Sequence, residues 1–147
     1  EEIAKKTLPE MVKFPFHLLY PTGKKQETQD EEKIKKFGHY YREAGVIAGD
    51  YHLVRRYLPP LNGQTIITNT TTAEDVDFLK ERGAGCLVTT TPEFAGRSFG
   101  TNVIEGVLVA ILQKPWAEIR PEEYLELIRR LGWKPRVVRF ENKRREV

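Results

Sequence analysis

The chain has 147 residues, 39% of them hydrophobic, and a formal net charge of +3, which suits one domain with a modest core. No apolar run is long enough to span a bilayer, and the mild positive excess sits partly in the terminal run Lys143, Arg144 and Arg145, a solvated tail rather than a nucleic-acid patch. The single cysteine, Cys86, excludes an intramolecular disulfide, and without a Cys/His cluster there is no structural zinc site, so a cytoplasmic protein that binds neither membrane nor nucleic acid is expected.

The chain starts at Glu1 without a methionine, as expected of a fragment, a processed chain or a trimmed one. Residues 12–20, VKFPFHLLY, are apolar but broken by Pro15 and followed by Pro21, which predicts an extended, docked segment with His17 packed within it. After the Thr22-Gly23 turn, Lys24 and Lys25 are either solvated or turned toward a ligand. Asp30 then caps a helix that runs to about Ala44, with Ile34, Phe37, Tyr40 or Tyr41 and Ala44 at helical spacing and Gly45 as the stop. Residues 1–45 are thus expected to be a docked segment and a helix, ahead of an α/β unit over 46–147.

From Val46 the pattern repeats. Residues 46–50, VIAGD, read as a short buried strand, and Asp50 caps the helix YHLVRRYL that follows. After the turn PPLNG, residues 65–70 form the next strand, and Thr71 with Glu74 makes a capping box for a helix whose stripe is Val76, Phe78 and Leu79, ended by Gly83. The third strand, 86–89, leads through a polar loop into a helix that begins near Asn102. Residues 103–112 of that helix have almost no polar face, which predicts burial on all sides. Pro121 opens the last helix, with Glu122 and Glu123 in its first turn, Arg129 and Arg130 in its last, and Gly132 as the stop. RVVRF, 136–140, is suited to an edge strand.

Three strands about twenty residues apart, each followed by a helix, predict βα units. The fold class is therefore α/β, a Rossmann-like parallel sheet with helices on both faces, and the uniformly apolar helix at 103–112 marks it as an incomplete half of a larger α/β protein. Either the missing N-terminal half or a second subunit would cover that helix.

In parallel sheets ligands collect at the carboxyl ends of the strands. Here those ends carry Ala48, Gly49 and Asp50, then Asn69 and Thr70, then Thr89, Thr90 and Thr91, which are small or polar and leave room for a ligand or simply cap helices. The adjoining loop GRSFGTN offers Gly96, Arg97, Ser98, Gly100, Thr101 and Asn102 before a helix N-terminus, an arrangement suited to an anion. Its glycine spacing matches neither GxGxxG nor GxxxxGK[ST], and the two glycines equally suit a tight turn with Arg97 in solvent.

The segments IAGDYHLVRRYLP, GQTIITNTTTAEDVDFLKERG and TTTPEFAGRSFGTNVIEGVLVA, with LLYPTGKKQ upstream, resemble the C-terminal half of the bacterial quinate 5-dehydrogenase family. The resemblance runs from about Phe14 to the end, with GRSFGTN its most specific block. It implies NAD- or NADP-dependent oxidation of a cyclic hydroxy acid such as quinate or shikimate, with a small-molecule substrate as partner. In that setting Lys24 or Lys25 would accept the proton, with Asp50 as electrostatic partner. A different class of function fits the same residues: a non-catalytic domain that binds a phosphorylated or carboxylated metabolite.

Overall fold

The computed structural model describes residues 28–141; the segment 12–20 with His17, the candidates Lys24 and Lys25, and the terminal basic run lie outside the described residues. Helix α1 (Glu31–Glu43) starts at Asp30, whose carboxylate accepts from the Lys33 N–H at 3.2 Å. Its inner face runs through buried Ile34 and Gly38 to Tyr41, which settles the choice between Tyr40 and Tyr41, whereas Phe37, expected inside, is exposed. The reason is close approach: a Cβ on Gly38 would lie 3.3 Å from Pro59 Cβ, so the glycine, not the phenylalanine beside it, faces the core.

Two βα steps and a third strand follow: β1 (Val46–Ala48), α2 (Tyr51–Tyr57), β2 (Thr65–Thr68), α3 (Ala73–Glu81) and β3 (Cys86–Thr89). Asp50 caps α2 as expected, accepting from the His52 N–H at 3.0 Å. The capping box of α3 is not Thr71 with Glu74 but Thr72 with Asp75. Thr71 is held back by paired backbone hydrogen bonds to Ser98, 3.1 and 2.9 Å, so the chain enters the helix one residue later.

The sheet has the order β1-β2-β3-β6, with β1, β2 and β3 (Cys86–Thr89) parallel and the edge strand β6 (Arg136–Arg139) antiparallel to β3. This is the expected α/β, Rossmann-like class. Because β1, β2 and β3 step in one direction, right-handed crossovers bring α2 and α3 to the same face. Register puts Ile47, Ile66, Leu87 and Val138 side by side there, packed with Tyr51, Val54, Leu58 and Leu79. On the other face Val46, Ala48, Val137 and Arg139 are exposed, and Thr65, Ile67, Cys86 and Val88 are half-buried.

The core is closed beneath by a backbone contact between two turns. Gly63 N–H donates to Gly83 O at 2.8 Å and Gly85 N–H to Gln64 O at 2.9 Å, and a Cβ on Gly85 would fall 2.4 Å from Gly63 O. Only glycine admits that spacing.

Between β3 and β6 lie the hairpin β4 (Glu93–Phe94) and β5 (Arg97–Ser98), helix α4 (Thr101–Leu112), a 3₁₀ turn at Trp116–Glu118 and helix α5 (Pro121–Arg130). Gly132, at φ 65°, ends α5 as expected. The expectation that the apolar helix is buried on every side fails. Ile104 and Leu108 are the buried residues of α4, in a second core with Leu127 of α5, while Val103, Val107 and Ile111 face outward. Among the described residues no helix is long and apolar enough to cross a membrane.

Candidate functional site

The polar loop after β3 is a hairpin rather than an open anion loop. Its turn residues Ala95 and Gly96 both have positive φ, 48° and 82°, the backbone of a two-residue hairpin whose twist matches its strands. Glu93 tightens the turn by accepting from the Gly96 N–H at 2.6 Å. The hairpin is bolted to the sheet through buried Ser98: its backbone pairs with Thr71, and its hydroxyl donates to Thr89 Oγ1 at 3.0 Å. Thr89 in turn donates to Thr91 O at 2.9 Å, and the Thr91 hydroxyl reaches Phe99 O at 2.7 Å and Asn69 O at 3.2 Å.

Beside this knot opens a cleft of about 330 Å³. The end of β3 supplies Thr90, Thr91 and Pro92; α4 supplies Thr101, Ile104, Glu105 and Leu108; α5 supplies Tyr124 and Ile128; and the link into β6 supplies Trp133, Lys134 and Pro135. Antiparallel pairing explains the convergence. Thr89 is registered with Arg136, so the chain entering β6 must pass the carboxyl end of β3. The hairpin braces the cleft-lining Trp133, whose ring Phe94 meets edge-on at 5.6 Å.

The chemistry of the cleft is mixed in a particular way. Ile104, Leu108, Ile128 and Trp133 belong to the second core and make an apolar floor. The Tyr124 hydroxyl is buried and has no hydrogen-bond partner among the described residues. Gly100 is the N-cap of α4, so the helix starts without a side-chain cap and without an acidic residue in its first turn. Such an N-terminus offers N–H donors and a partial positive charge, here at Thr101 on the cleft wall. Lys134 adds a full positive charge and Glu105, one turn along α4, a negative one.

Of the residues singled out in the sequence, Thr90, Thr91 and Thr101 line the cleft. Thr90 is exposed, whereas the Thr91 hydroxyl is engaged by backbone carbonyls. Asn69, Thr70 and Gly100 sit next to it in the knot: Asn69 Oδ1 accepts from the Thr70 N–H at 2.6 Å, and a Cβ on Gly100 would touch Thr70 Oγ1 at 3.3 Å. Ser98 has both its N–H and its hydroxyl bonded inside the fold. Asn102 is exposed on the first turn of α4. Gly96 forms the hairpin tip and Arg97 is exposed beside it; on α3 the Glu74 carboxyl is held below its ordinary range, first by its own backbone N–H, then by the Thr72 hydroxyl, and in smaller part by the charge of Arg97. Asp50 caps α2, apart from the cleft-lining residues. Reading the sequence missed Glu105, Tyr124, Trp133 and Lys134. The signal available was Trp133-Lys134-Pro135 directly after the Gly132 stop, an aromatic and a basic side chain in a rigid link.

The described residues do not fit a dinucleotide. A pyrophosphate needs an open helix N-terminus reached from its strand through a glycine turn. On α2 that place is taken by the Asp50 carboxylate, and on α3 by Thr72 and Asp75. The N-terminus of α4 is open, but the hairpin separates it from β3. Among the described residues no group of three or more His, Cys, Asp or Glu side chains could hold a metal ion.

The chain belongs to the family described as a domain of unknown function, DUF8754, whose model matches residues 1–140. No curated protein and no solved structure matches it.

Proposed function

We propose that this chain binds a small cyclic hydroxy acid, of the class that includes quinate and shikimate, in the cleft between β3, α4 and α5. The observation that carries the reading is the open, uncapped N-terminus of α4 at Thr101 beside an apolar floor. The acid group belongs at that end, with Lys134 as its counter-charge. Ligand hydroxyls belong toward Glu105, which accepts hydrogen bonds, and toward the Tyr124 hydroxyl, whose burial without a partner costs about 1–3 kcal/mol unless something enters to bond it. The cleft lies at the lower end of the range of small-molecule sites, roughly 300–1,000 Å³. A cytoplasmic location is part of the same proposal, since the one cysteine, Cys86, is a free thiol.

A second reading, NAD- or NADP-dependent oxidation of the same acid, draws on the quinate 5-dehydrogenase resemblance and on a cleft that opens at the carboxyl end of a parallel strand. It requires a nicotinamide bound outside the residues described, because these lack a fitting cradle. It also requires a proton acceptor, for which Lys24 and Lys25 were the sequence candidates.

Trp133 reports on the cleft directly. In a Trp116→Phe background, titration with quinate or shikimate should change Trp133 fluorescence saturably, and Lys134→Ala should weaken binding by about 1.5–3 kcal/mol, the range for a hydrogen bond to a charged group. No saturable change at millimolar ligand would refute the binding reading. Nicotinamide absorbance followed in the same mixtures separates the two readings: saturable binding with no absorbance change leaves the domain non-catalytic.

A further inference from the structure

Helix α4 has two apolar faces. Ile104 and Leu108 turn inward to the second core and the cleft, whereas Val103, Val107 and Ile111 are 52%, 41% and 48% exposed. At about 100° per residue, Val103, Gly106, Val107, Ala110 and Ile111 share an arc of about 140° on the side away from the cleft. No charged side chain falls in that arc, and a Cβ added at Gly106 would meet nothing within 4 Å. An outward face of this kind is unusual on a soluble monomer and marks a contact surface.

We propose that the face is the contact between two copies of this chain, with their α4 helices crossing antiparallel about a two-fold axis at Val107. Three features select a second copy. The first is electrostatic: α4 has no side-chain cap and no acidic residue at its start, and no basic residue in its last turn, so no side chain within the helix offsets the partial charge at either end. Antiparallel crossing sets the positive start of each helix beside the negative end of the other, and parallel crossing would set like ends together. The second is self-complementarity. Val103 and Ile111 lie equally far on either side of Val107, so each Val103 faces the partner's Ile111, and Val107 meets its own copy, as a two-fold contact requires. Small Gly106 and Ala110 leave grooves between these side chains for the facing ridge.

The third feature is extent. Twelve helical residues span only about 18 Å, too little for a standard interface by themselves. Phe99 and Trp116, 37% and 69% exposed, stand just before and just after α4 in the chain, so exposed aromatic side chains adjoin both ends of the helix. The contact is therefore that of a modest, concentration-dependent dimer. The apolar face itself points away from the cleft-lining Ile104 and Leu108, so burying it does not require the ligand.

Sedimentation of the full chain across the micromolar range should show monomer passing to dimer. In a Cys86→Ala background, Val107→Cys should form a disulfide-linked dimer on mild oxidation. Val103→Cys and Ile111→Cys should each link poorly alone and well when mixed. Val107→Glu should raise the dimer dissociation constant by about 100-fold or more, because two carboxylates then meet at the axis, with an unchanged circular dichroism spectrum. A monomer at every concentration would overturn the proposal, and so would self-linking of Val103→Cys as efficient as that of Val107→Cys, which would mean a parallel crossing.

Discussion

Replacing Asp75 tests whether the junction between α2 and α3 depends on a buried carboxylate. Asp75 is 7% exposed, and its two oxygens are fully engaged. Oδ1 accepts from the Arg55 guanidinium, while Oδ2 accepts from the Thr72 N–H and the Thr72 hydroxyl, both at 2.9 Å. The Tyr51 hydroxyl donates to the Asp75 carbonyl at 3.3 Å, and burial, followed by the nearby carboxylate, holds that phenol protonated far above its ordinary range. Removing one member of a buried ion pair costs about 3–5 kcal/mol. The Arg55 side chain is 23% exposed and Asp75 only 10%, so the stranded guanidinium keeps some water and the lower end applies: Asp75→Ala should cost about 3 kcal/mol. The lost helix cap, worth about 1 kcal/mol, lies within that figure because one side chain serves both contacts. Asp75→Asn keeps an acceptor for the Thr72 N–H and should cost about half as much. Urea unfolding with a common m-value is the assay. If Asp75→Asn unfolded within about 0.5 kcal/mol of the parent, the charge would contribute nothing and the account of this junction would be wrong.

Two further outcomes follow from local geometry. Ala95 holds a left-handed φ of 48° at an exposed hairpin tip, so Ala95→Asn should stabilise the fold by about 0.5–1 kcal/mol in the same unfolding assay, and a loss of stability would contradict the turn assignment. Glu123 accepts from Lys114 and, at 3.1 Å, from the Arg120 N–H, and these contacts, the Lys114 bond foremost, lower its pKa from 4.5 to about 2. Its folded pKa lies below the unfolded one, so its contribution is complete above about pH 4.5 and is lost as the pH falls toward about 2. Carboxyl NMR should find that low midpoint, and Lys114→Ala should raise it; an unmoved midpoint would remove Lys114 as the cause.

The local chemistry of this chain was legible wherever one residue decides its own neighbourhood. Asp30 and Asp50 cap the helices they precede, and the strands begin at Val46, Thr65 and Cys86, because side-chain acceptors and apolar runs act over a few residues. Thr71 was misread as a cap because its partner, Ser98, is twenty-seven positions away and no local rule reports that bridge. The hairpin was invisible for two reasons: its strands are two residues long, too short to show alternation, and its turn begins with Ala95 rather than the Asn or Asp that signals positive φ. On α4, composition alone showed an apolar helix but not which side of it this chain would cover. The cleft was half legible. Thr90, Thr91 and Thr101 were found by following strand ends, while Tyr124, Trp133 and Lys134 come from a later helix and link that reach the same place only through the pairing of β6.

That pairing also explains why a cleft exists at all. In open α/β sheets the ligand crevice forms where the strand order reverses, and β1-β2-β3 has no reversal. The connections after β1 and β2 both return to one face, so nothing splays apart at the ends of those strands. At β3 the chain instead leaves through the hairpin, passes along α4 and α5, and comes back antiparallel, with Arg136 beside Thr89. A parallel β6 would begin near Cys86, at the opposite end of the sheet, and would carry Trp133 and Lys134 away from Thr90 and from the open start of α4. The direction of one edge strand therefore decides that an aromatic ring, a lysine and an uncapped helix N-terminus share a cavity, and the antiparallel pair Thr89–Arg136 is the contact on which the candidate site depends.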